Sequence, residues 1–293
     1  MANARGEHID TTYLTVEHTL SRDYGHRDYL SSWLKYSAVV KFIRTQKYWR
    51  GKGREPWILD VACGKLAPLA KPLAMKQNVR AEDVGYYLGV DFGPISTPWL
   101  APGSTFPAEF IERTDFSTVD WGREYYGRFQ IINYMEAAEH CEPDCCFKIL
   151  QNIYRYMSDD ARAFISTPIY NGKAALNHVN EMSYFGFETL MELAGLEVEK
   201  VRGSFCSRTD YINHMNDHCA WVYNSLVDHL EPEGLSVIMG MLIEPHLARN
   251  ALWRMTKATP ITLDKATWKY LAQPEHGSSE EWTPFIKSLQ KSF

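Results

Sequence analysis

The feature that most constrains the fold is a series of short apolar runs, most of which end in or beside an acidic or polar residue. The first run spans residues 57–61 and contains Asp60, and a glycine follows at position 64. An apolar run bounded by glycine is typical of a strand buried on both faces of a parallel sheet. Similar runs follow at residues 86–91, 109–112, 129–135, 163–167, 196–201 and 251–256. Their alternation with helical stretches predicts an α/β fold with a doubly wound, mostly parallel sheet of seven strands.

The carboxyl ends of the predicted strands are where a ligand is expected. Right-handed crossovers place these ends on one edge of a parallel sheet, and ligands bind at that edge near the switch in strand order. The polar residues at this edge are Asp60, Asp91, Asp115, Asn133–Glu136 and Ser166–Pro168. We therefore expect the functional site to be built from them.

The rest of the chain is arranged around this sheet. An apolar stripe between Asp28 and Arg50 predicts a helical segment before the first strand. Residues 205–250 contain apolar helical stretches that do not continue the alternation, and they predict a helical insertion over the carboxyl edge before the last strand. The predicted units are an N-terminal helical cover (1–54), the core with its insertion (55–257) and a C-terminal tail (258–293).

Composition narrows the function classes. The chain has 31 basic and 36 acidic residues and a net charge of −5, which argues against binding nucleic acid through a broad basic surface. No run approaches the roughly 18 apolar residues of a membrane span, and the first residues lack the apolar core of a secretory signal. We therefore expect a cytoplasmic protein with reduced cysteines and no membrane partner. Cys141, Cys145 and Cys146 lie beside His140 but lack the paired Cys-x-x-Cys spacing of structural zinc, so we expect them to be thiols.

The loop after the first strand favours a ligand without phosphate. Gly64 lets the backbone approach a ligand closely, and the following helix directs free N–H groups toward it. A nicotinamide-dependent dehydrogenase, the competing interpretation, needs Gly-x-Gly-x-x-Gly to hold a pyrophosphate. Here Ala62 and Leu66 replace two of those glycines, and Pro68 falls in the next turn. The loop is therefore a poor pyrophosphate site.

Taken in order, these motifs resemble those of the class I S-adenosylmethionine-dependent methyltransferases, over about residues 55–200. Residues 58–64 are similar to the first motif of that family, and Asp91 matches the acid that holds the ribose hydroxyls. Asp115 and Phe116 match the pair beside the adenine, and residues 166–168 are similar to the Ser-Thr-Pro that closes the fifth strand. The resemblance implies S-adenosylmethionine as cofactor, bound by Asp60, Ala62, Cys63, Gly64, Asp91, Phe92, Asp115, Phe116, Asn133 and Tyr134.

The segment after the fourth strand provides the candidates for catalysis. Glu136, Glu139 and His140 would share one face if a helix began there, and carboxylates with an imidazole suit a divalent cation such as Mg²⁺ or Mn²⁺. His178 could supply a fourth ligand. The pattern resembles the small-RNA 3′-end 2′-O-methyltransferases, and its Glu-x-x-Glu-His part is shared by ubiquinone-pathway O-methyltransferases. Alternatively, His140 packs locally without a metal. We take Glu136, His140 and His178 as catalytic candidates and Glu136, Glu139, His140 and His178 as metal candidates.

The function expected from the sequence is transfer of a methyl group to an oxygen or nitrogen of a small-molecule or nucleotide-sized acceptor. One alternative is methylation of nucleic acid, including metal-assisted 2′-O-methylation. Another is a module that binds S-adenosylmethionine without transferring methyl, which the two missing loop glycines suggest. The acceptor and the oligomeric state are left open.

Overall fold

A computed structural model describes most of the chain. The described residues are 27–45, 55–74, 84–230, 232–264, 277–280 and 282–292. The predicted N-terminal cover and C-terminal tail therefore lie partly outside the described residues.

The core is a single seven-stranded sheet. Its strands are β1 (Trp57–Val61), β2 (Tyr86–Val90), β3 (Ala108–Ile111), β4 (Phe129–Met135), β5 (Met157–Pro168), β6 (Leu196–Phe205) and β7 (Asn250–Lys257). The strand order is β3-β2-β1-β4-β5-β7-β6. Only β7 runs antiparallel to its neighbours, β5 and β6. The predicted doubly wound, mostly parallel sheet is therefore confirmed.

Helices connect the strands. The α-helices are α1 (Arg27–Thr45), α2 (Ala70–Ala74), α3 (Pro143–Tyr156), α4 (Tyr184–Leu193), α5 (Arg208–Asn213), α6 (Asp217–Leu226), α7 (Pro232–Leu242) and α8 (Trp282–Ser292). Short 3-10 turns form at Arg123–Tyr125, Ala138–His140 and Pro245–Leu247. None of the described helices is long and apolar enough to cross a membrane.

The two faces of the sheet are buried in separate apolar clusters. In β1, Ile58 packs with Val39 and Ile43 of α1. The next residue, Leu59, packs with Leu150 and Ile153 of α3 on the opposite face. Successive side chains of a strand point to opposite faces, so a continuous apolar run serves both clusters. This is why the strands lack the polar–apolar alternation of a sheet that is exposed on one side.

The strand order reverses between β1 and β4, which is the switch point of a doubly wound sheet. At this point β1 and β4 pair in parallel, and Asp60 of β1 lies opposite Asn133 of β4. Doubly wound proteins bind their ligands in the crevice outside the carboxyl ends of such strands. A ligand is therefore expected at the loops that follow β1, β2, β3 and β4.

The helical insertion lies at the same edge. Phe205 at the end of β6 pairs with Asn250 at the start of β7, and Asn250 also pairs with Pro168 at the end of β5. Helices α5, α6 and α7 lie in the connection between the end of β6 and the start of β7, and they enclose an apolar cluster of their own. Gly203 and Gly240 bring α7 against β6, because a Cβ on Gly203 would lie 2.0 Å from the Gly240 carbonyl oxygen.

The structure differs from the sequence prediction in several element boundaries. Strand β5 begins at Met157, before the expected run at 163–167, and β6 continues past 201 to Phe205. The helix expected directly after the Gly64 loop begins only at Ala70, because Ala67 adopts a left-handed φ of 42° and Pro68 follows it. The helical stretch expected at the start of the 205–250 insertion is divided into α5 and α6. Helix α5 ends at Asn213, and Asn216 caps α6, since its side chain accepts a hydrogen bond from the backbone N–H of Cys219 at 2.8 Å.

Candidate functional site

The loop after β1 is tied to the loop after β2 by the carboxylate of Asp91. One oxygen accepts from the Gly64 N–H at 2.8 Å, and the other accepts from the Gly93 N–H at 2.7 Å. Asp91 is only 6% exposed. The two hydrogen bonds hold the carboxylate rigidly at the ends of β1 and β2.

Two residues of the turn directly after β1 have left-handed backbone, in addition to Ala67 further along the loop. Gly64 has a φ of 73°, which glycine adopts without strain, and Ala62 has a φ of 54°. The chain therefore keeps at Ala62 a turn that favours glycine, and does so with a residue for which the conformation costs roughly 1–2 kcal/mol. The loss of the glycine does not abolish the turn.

A cavity of about 140 Å³ opens at the carboxyl ends of β1, β2 and β3. Its lining residues are Val61, Ala62, Val90, Asp91, Phe92, Thr114, Asp115, Phe116, Cys141, Cys145 and Ile149. The described lining is mostly apolar, with two carboxylates, and it contains no lysine, arginine or histidine. The structure thus brings together Ala62, Asp91, Phe92, Asp115 and Phe116 from the predicted cofactor residues.

The other predicted cofactor residues do not line this cavity. Asp60 is 1% exposed and accepts hydrogen bonds from the Tyr87 hydroxyl and, at 2.6 Å, from the Asn133 amide. Burial raises the pKa of Asp60 to about 7. Asn133 Oδ1 has no hydrogen-bond partner among the described residues. Tyr134 is fully buried in the apolar core, so its side chain packs within the fold.

Cys63 and Gly64 reach the site through their backbone. The Cys63 N–H donates to the Val90 carbonyl at 3.1 Å, while its thiol packs beside Gly89. The Gly64 N–H is the donor to Asp91. These residues shape the loop, but their side chains do not line the cavity.

Glu136 does not begin a helix as its spacing suggested. Strand β4 ends at Met135, Glu136 takes a left-handed φ of 51°, and only a 3-10 turn follows over Ala138–His140. Its carboxylate accepts from Ser166 Oγ at 2.7 Å and from Asn250 Nδ2 at 2.9 Å. Glu136 therefore does not share a helical face with Glu139 and His140 as expected, although its charge still acts on Glu139.

The remaining partner of Glu136 is a lysine that sequence reasoning missed. Lys35 of α1 is 2% exposed and places Nζ 2.9 Å from Glu136 Oε1. Burial acts to raise the pKa of Glu136, but the Lys35 charge and the hydrogen bonds outweigh it and the pKa is lowered. A signal was present, because Lys35 lies one helical turn before the buried Val39 and in phase with the apolar stripe.

Three of the four predicted metal ligands meet in space. These are Glu139, His140 and His178. A carboxylate oxygen of Glu139 and one ring nitrogen of each histidine all lie within 4.8 Å of one another. Glu139 is 1% exposed and its carboxylate accepts from Thr167 Oγ1 at 2.9 Å. The loop that carries His178 is fastened to Glu139, since the carbonyl of Glu139 accepts from the N–H groups of Val179 and Asn180.

Both imidazoles are oriented by an acceptor at Nδ1. His140 Nδ1 donates to the Asn177 carbonyl at 3.3 Å, and His178 Nδ1 donates to Glu181 Oε1 at 2.5 Å. The lone pair of each ring therefore lies on Nε2. Glu181 is fully buried, and Arg249 donates to its other oxygen. Sequence reasoning missed Glu181, which looked like one more loop carboxylate.

Burial sets the protonation of this cluster. It raises the pKa of Glu139 to about 8, with the nearby Glu136 acting in the same direction. Burial also lowers the pKa of His140 to about 4, and the neighbouring imidazole of His178 makes a smaller contribution in the same direction. For His178, burial acts to lower the pKa, but Glu181 and Glu139 outweigh it and the pKa is raised. His140 is consequently a neutral imidazole near pH 7.

Comparison with known proteins gives distant structural likenesses. No protein-family model matches the chain, and no curated protein matches its sequence. One solved structure similar to it is a 1,6-didemethyltoxoflavin N1-methyltransferase from Burkholderia thailandensis, at 14% identity and a TM-score of 0.47, covering 86% of this chain and 92% of that one. Another is magnesium protoporphyrin IX methyltransferase from Synechocystis, at 10% identity and a TM-score of 0.44, covering 84% and 94%. Likenesses this distant do not indicate what the chain binds.

Proposed function

We propose that the chain is an S-adenosylmethionine-dependent methyltransferase. The observation that carries the proposal is the cavity at the ends of β1, β2 and β3, whose described lining has two carboxylates and no basic residue. A carboxylate at the end of β2 suits the two hydroxyls of a ribose, and Phe116 offers an aromatic surface for a base. Asp115 is an exposed acceptor at the rim that suits an exocyclic amine.

The charge of the cavity distinguishes this nucleoside from phosphorylated ones. A pyrophosphate bound here would lie near Asp91 and Asp115, and none of the lining residues that the structure describes is a cation that could offset its charge. S-adenosylmethionine carries a sulfonium and an ammonium group and has no phosphate, so carboxylates favour it. The same argument disfavours nicotinamide cofactors and nucleoside triphosphates.

When bound, the donor supplies an activated methyl group, and the chain has to hold the acceptor in line with it. Outside the cavity, the candidate site has a cluster of polar side chains around Glu136. Its other members are Lys35, Ser166 and Asn250. His178 is the candidate base for an acceptor hydroxyl. Glu181 holds its Nδ1 proton, which leaves Nε2 to accept one.

The cluster of Glu139, His140 and His178 supports a second candidate feature, a divalent cation. Two ligands at about 2.1 Å from one ion are at most about 4.2 Å apart, so the described 4.8 Å spread is slightly open. The residue types fit, and an acceptor oxygen already holds Nδ1 of each histidine, as is usual for metal ligands. Two imidazoles with one carboxylate suit Mn²⁺, Fe²⁺ or Zn²⁺ better than Mg²⁺. A bound cation would lower the pKa of an acceptor hydroxyl.

The metal feature is tested by titrating Mn²⁺ into the metal-free protein and following the melting temperature. We expect a rise that Glu139→Gln removes, and that the exposed variant Glu109→Gln retains. Equal responses in wild type and Glu139→Gln would contradict the assignment. Activity that is insensitive to EDTA would leave His178 as the base without a metal.

The methyl donor is tested by calorimetric titration of the wild-type chain with S-adenosylhomocysteine, the product form of the donor. We expect micromolar binding, and no heat from NAD⁺ or ATP at the same concentrations. The reverse preference would overturn the proposal. The acceptor class is tested with radiolabelled donor and a cell extract. Label that survives nuclease treatment supports a small-molecule acceptor, label that is lost supports nucleic acid, and tight binding without transfer supports a non-catalytic module.

A further inference from the structure

Two thiols line the cavity that holds the proposed nucleoside. Cys141 follows the 3-10 turn after β4, and Cys145 lies in the first turn of α3. All six cysteines are among the described residues and all are free thiols. Five of them are buried, and Cys145 is the one that is partly exposed. A small reagent that enters the cavity therefore meets Cys145 first.

The two thiols form a hydrogen-bonded pair. Cys141 Sγ also lies 3.4 Å from the Ala137 carbonyl oxygen and 3.8 Å from the Tyr134 hydroxyl, and its S–H can donate to the sulfur of Cys145. The hydrogen bond from Cys141 lowers the pKa of Cys145, helped by a hydrogen bond from Ser117, although burial opposes it.

The position of Cys145 on α3 acts in the same direction. It is the third residue of a 14-residue helix, where unpaired backbone N–H groups give the helix N-terminus a partial positive charge. Thiolates at helix N-termini are stabilised for this reason. Asp115 and Asp144 act against the effect, and Asp144 is itself paired with Lys148 at 2.6 Å. A partly exposed thiol of lowered pKa beside a buried thiol has the arrangement of a reactive pair.

We propose that Cys145 is a modification site, at which alkylating electrophiles and hydroperoxides react inside the cavity, with Cys141 as the resolving thiol. Modification fills the space between the ends of β1, β2 and α3 and blocks the nucleoside. This second consequence rests on the proposed function, whereas the reactivity of Cys145 does not.

The oxidative step balances with hydrogen peroxide as the oxidant. The Cys145 thiolate attacks one peroxide oxygen, an S–O bond forms, the O–O bond breaks, and hydroxide leaves and takes a proton. The Cys141 sulfur then attacks the sulfenic sulfur of Cys145, the S–S bond forms, the S–O bond breaks, and a second water leaves with the Cys141 proton. In total, two thiols are oxidised to one disulfide and one peroxide is reduced to two waters.

The site itself is tested on the wild-type chain by timed labelling with iodoacetamide and mass-spectrometric mapping of all six cysteines. We expect Cys145 to react at least about tenfold faster than any other cysteine, and saturating S-adenosylhomocysteine to slow it further. Another cysteine reacting first, or all six reacting equally slowly, would overturn the proposal. This measurement needs no variant, so a folding defect cannot obscure it.

The consequence for binding is tested by calorimetry before and after labelling. We expect wild type to lose S-adenosylhomocysteine binding after treatment, and Cys145→Ser to have the same affinity before and after it. Binding in wild type that survives complete Cys145 labelling would refute the blocking claim while leaving the methyltransferase proposal intact. If untreated wild type does not bind at all, the proposed function fails and the labelling map alone decides the modification site.

The role of Cys141 is tested with peroxide and a sulfenic-acid trap such as dimedone. In wild type, we expect a disulfide between Cys141 and Cys145 and little trapped product. In Cys141→Ser, we expect the trap to accumulate on Cys145. A Cys145 adduct of equal yield in both proteins would remove Cys141 from the proposal.

Discussion

The buried ion pair between α1 and the end of β4 gives the most quantitative prediction. Lys35 is 2% exposed, the side chain of Glu136 is 19% exposed, and their charged atoms are 2.9 Å apart. At that distance and an effective dielectric constant of about 20, the gross attraction is roughly 6 kcal/mol. Much of it offsets the cost of removing both charges from water, so the pair contributes far less in net terms.

Removing one partner is costly because the other charge stays buried. We predict that Lys35→Met lowers the free energy of unfolding by about 3 kcal/mol. This is the lower end of the range for broken buried pairs, because Ser166 and Asn250 still donate to Glu136. When Glu136→Gln is introduced into the Lys35→Met protein, it should lower the free energy of unfolding much less than it does in the wild-type protein. The two substitutions should therefore be coupled by about 2 kcal/mol.

The assay is urea denaturation of the four proteins of this cycle, with Lys41→Met as the matched control. Lys41 lies on the same helix but is exposed, so its substitution should change stability by less than about 0.5 kcal/mol. If Lys35→Met is as harmless as Lys41→Met, or if the two sites are additive, the ion pair does not hold α1 to the sheet.

Three further predictions follow from local geometry. Because Ala62 has a φ of 54°, Ala62→Gly should raise the free energy of unfolding by about 0.5–1 kcal/mol in urea denaturation, and a loss of stability would speak against a left-handed residue there. Gly203→Ala should cost about 3 kcal/mol because its Cβ would overlap Gly240; the control Gly234→Ala, with only an ordinary 3.7 Å contact, should be neutral or stabilising, and equal effects of the two would contradict the close packing of α7. The folded-state pKa of Asp60 is about 7 against a usual 3.8, so the folded state holds this proton more tightly and the stability it confers is lost as pH rises through 7. The unfolding free energy of wild type should thus fall by about 2–3 kcal/mol relative to Asp60→Asn between pH 5 and pH 8, and a flat difference would rule out the raised pKa.

The sheet could be predicted from the sequence because its signals are local. Runs such as 129–135 are apolar on both faces, and the structure places β4 at those residues. The carboxyl-edge position of Asp91 and Asp115 follows from the topology alone. The cavity then brings those two residues together with Phe116.

The parts that could not be predicted depend on contacts between distant segments. Lys35 and Glu136 form an ion pair although they are 101 positions apart in the sequence. No local sequence pattern determines which buried carboxylate pairs with a buried lysine. Glu136 was assigned to a helical face by its spacing, but its left-handed backbone and its hydrogen bond from Asn250 decide its direction. Glu181 orients His178 only because Arg249 and Ser278 fix the loop around it.

The central claim is that the cavity at the ends of β1, β2 and β3 holds the adenosine part of S-adenosylmethionine through Asp91. Calorimetric titration of Asp91→Asn with S-adenosylhomocysteine tests it most directly, with Asp159→Asn as control because the Asp159 side chain is fully exposed. Charge-assisted hydrogen bonds contribute about 1.5–3 kcal/mol each, so we predict that Asp91→Asn weakens binding by at least about tenfold while Asp159→Asn does not change it. Equal affinity in Asp91→Asn and Asp159→Asn would contradict the claim.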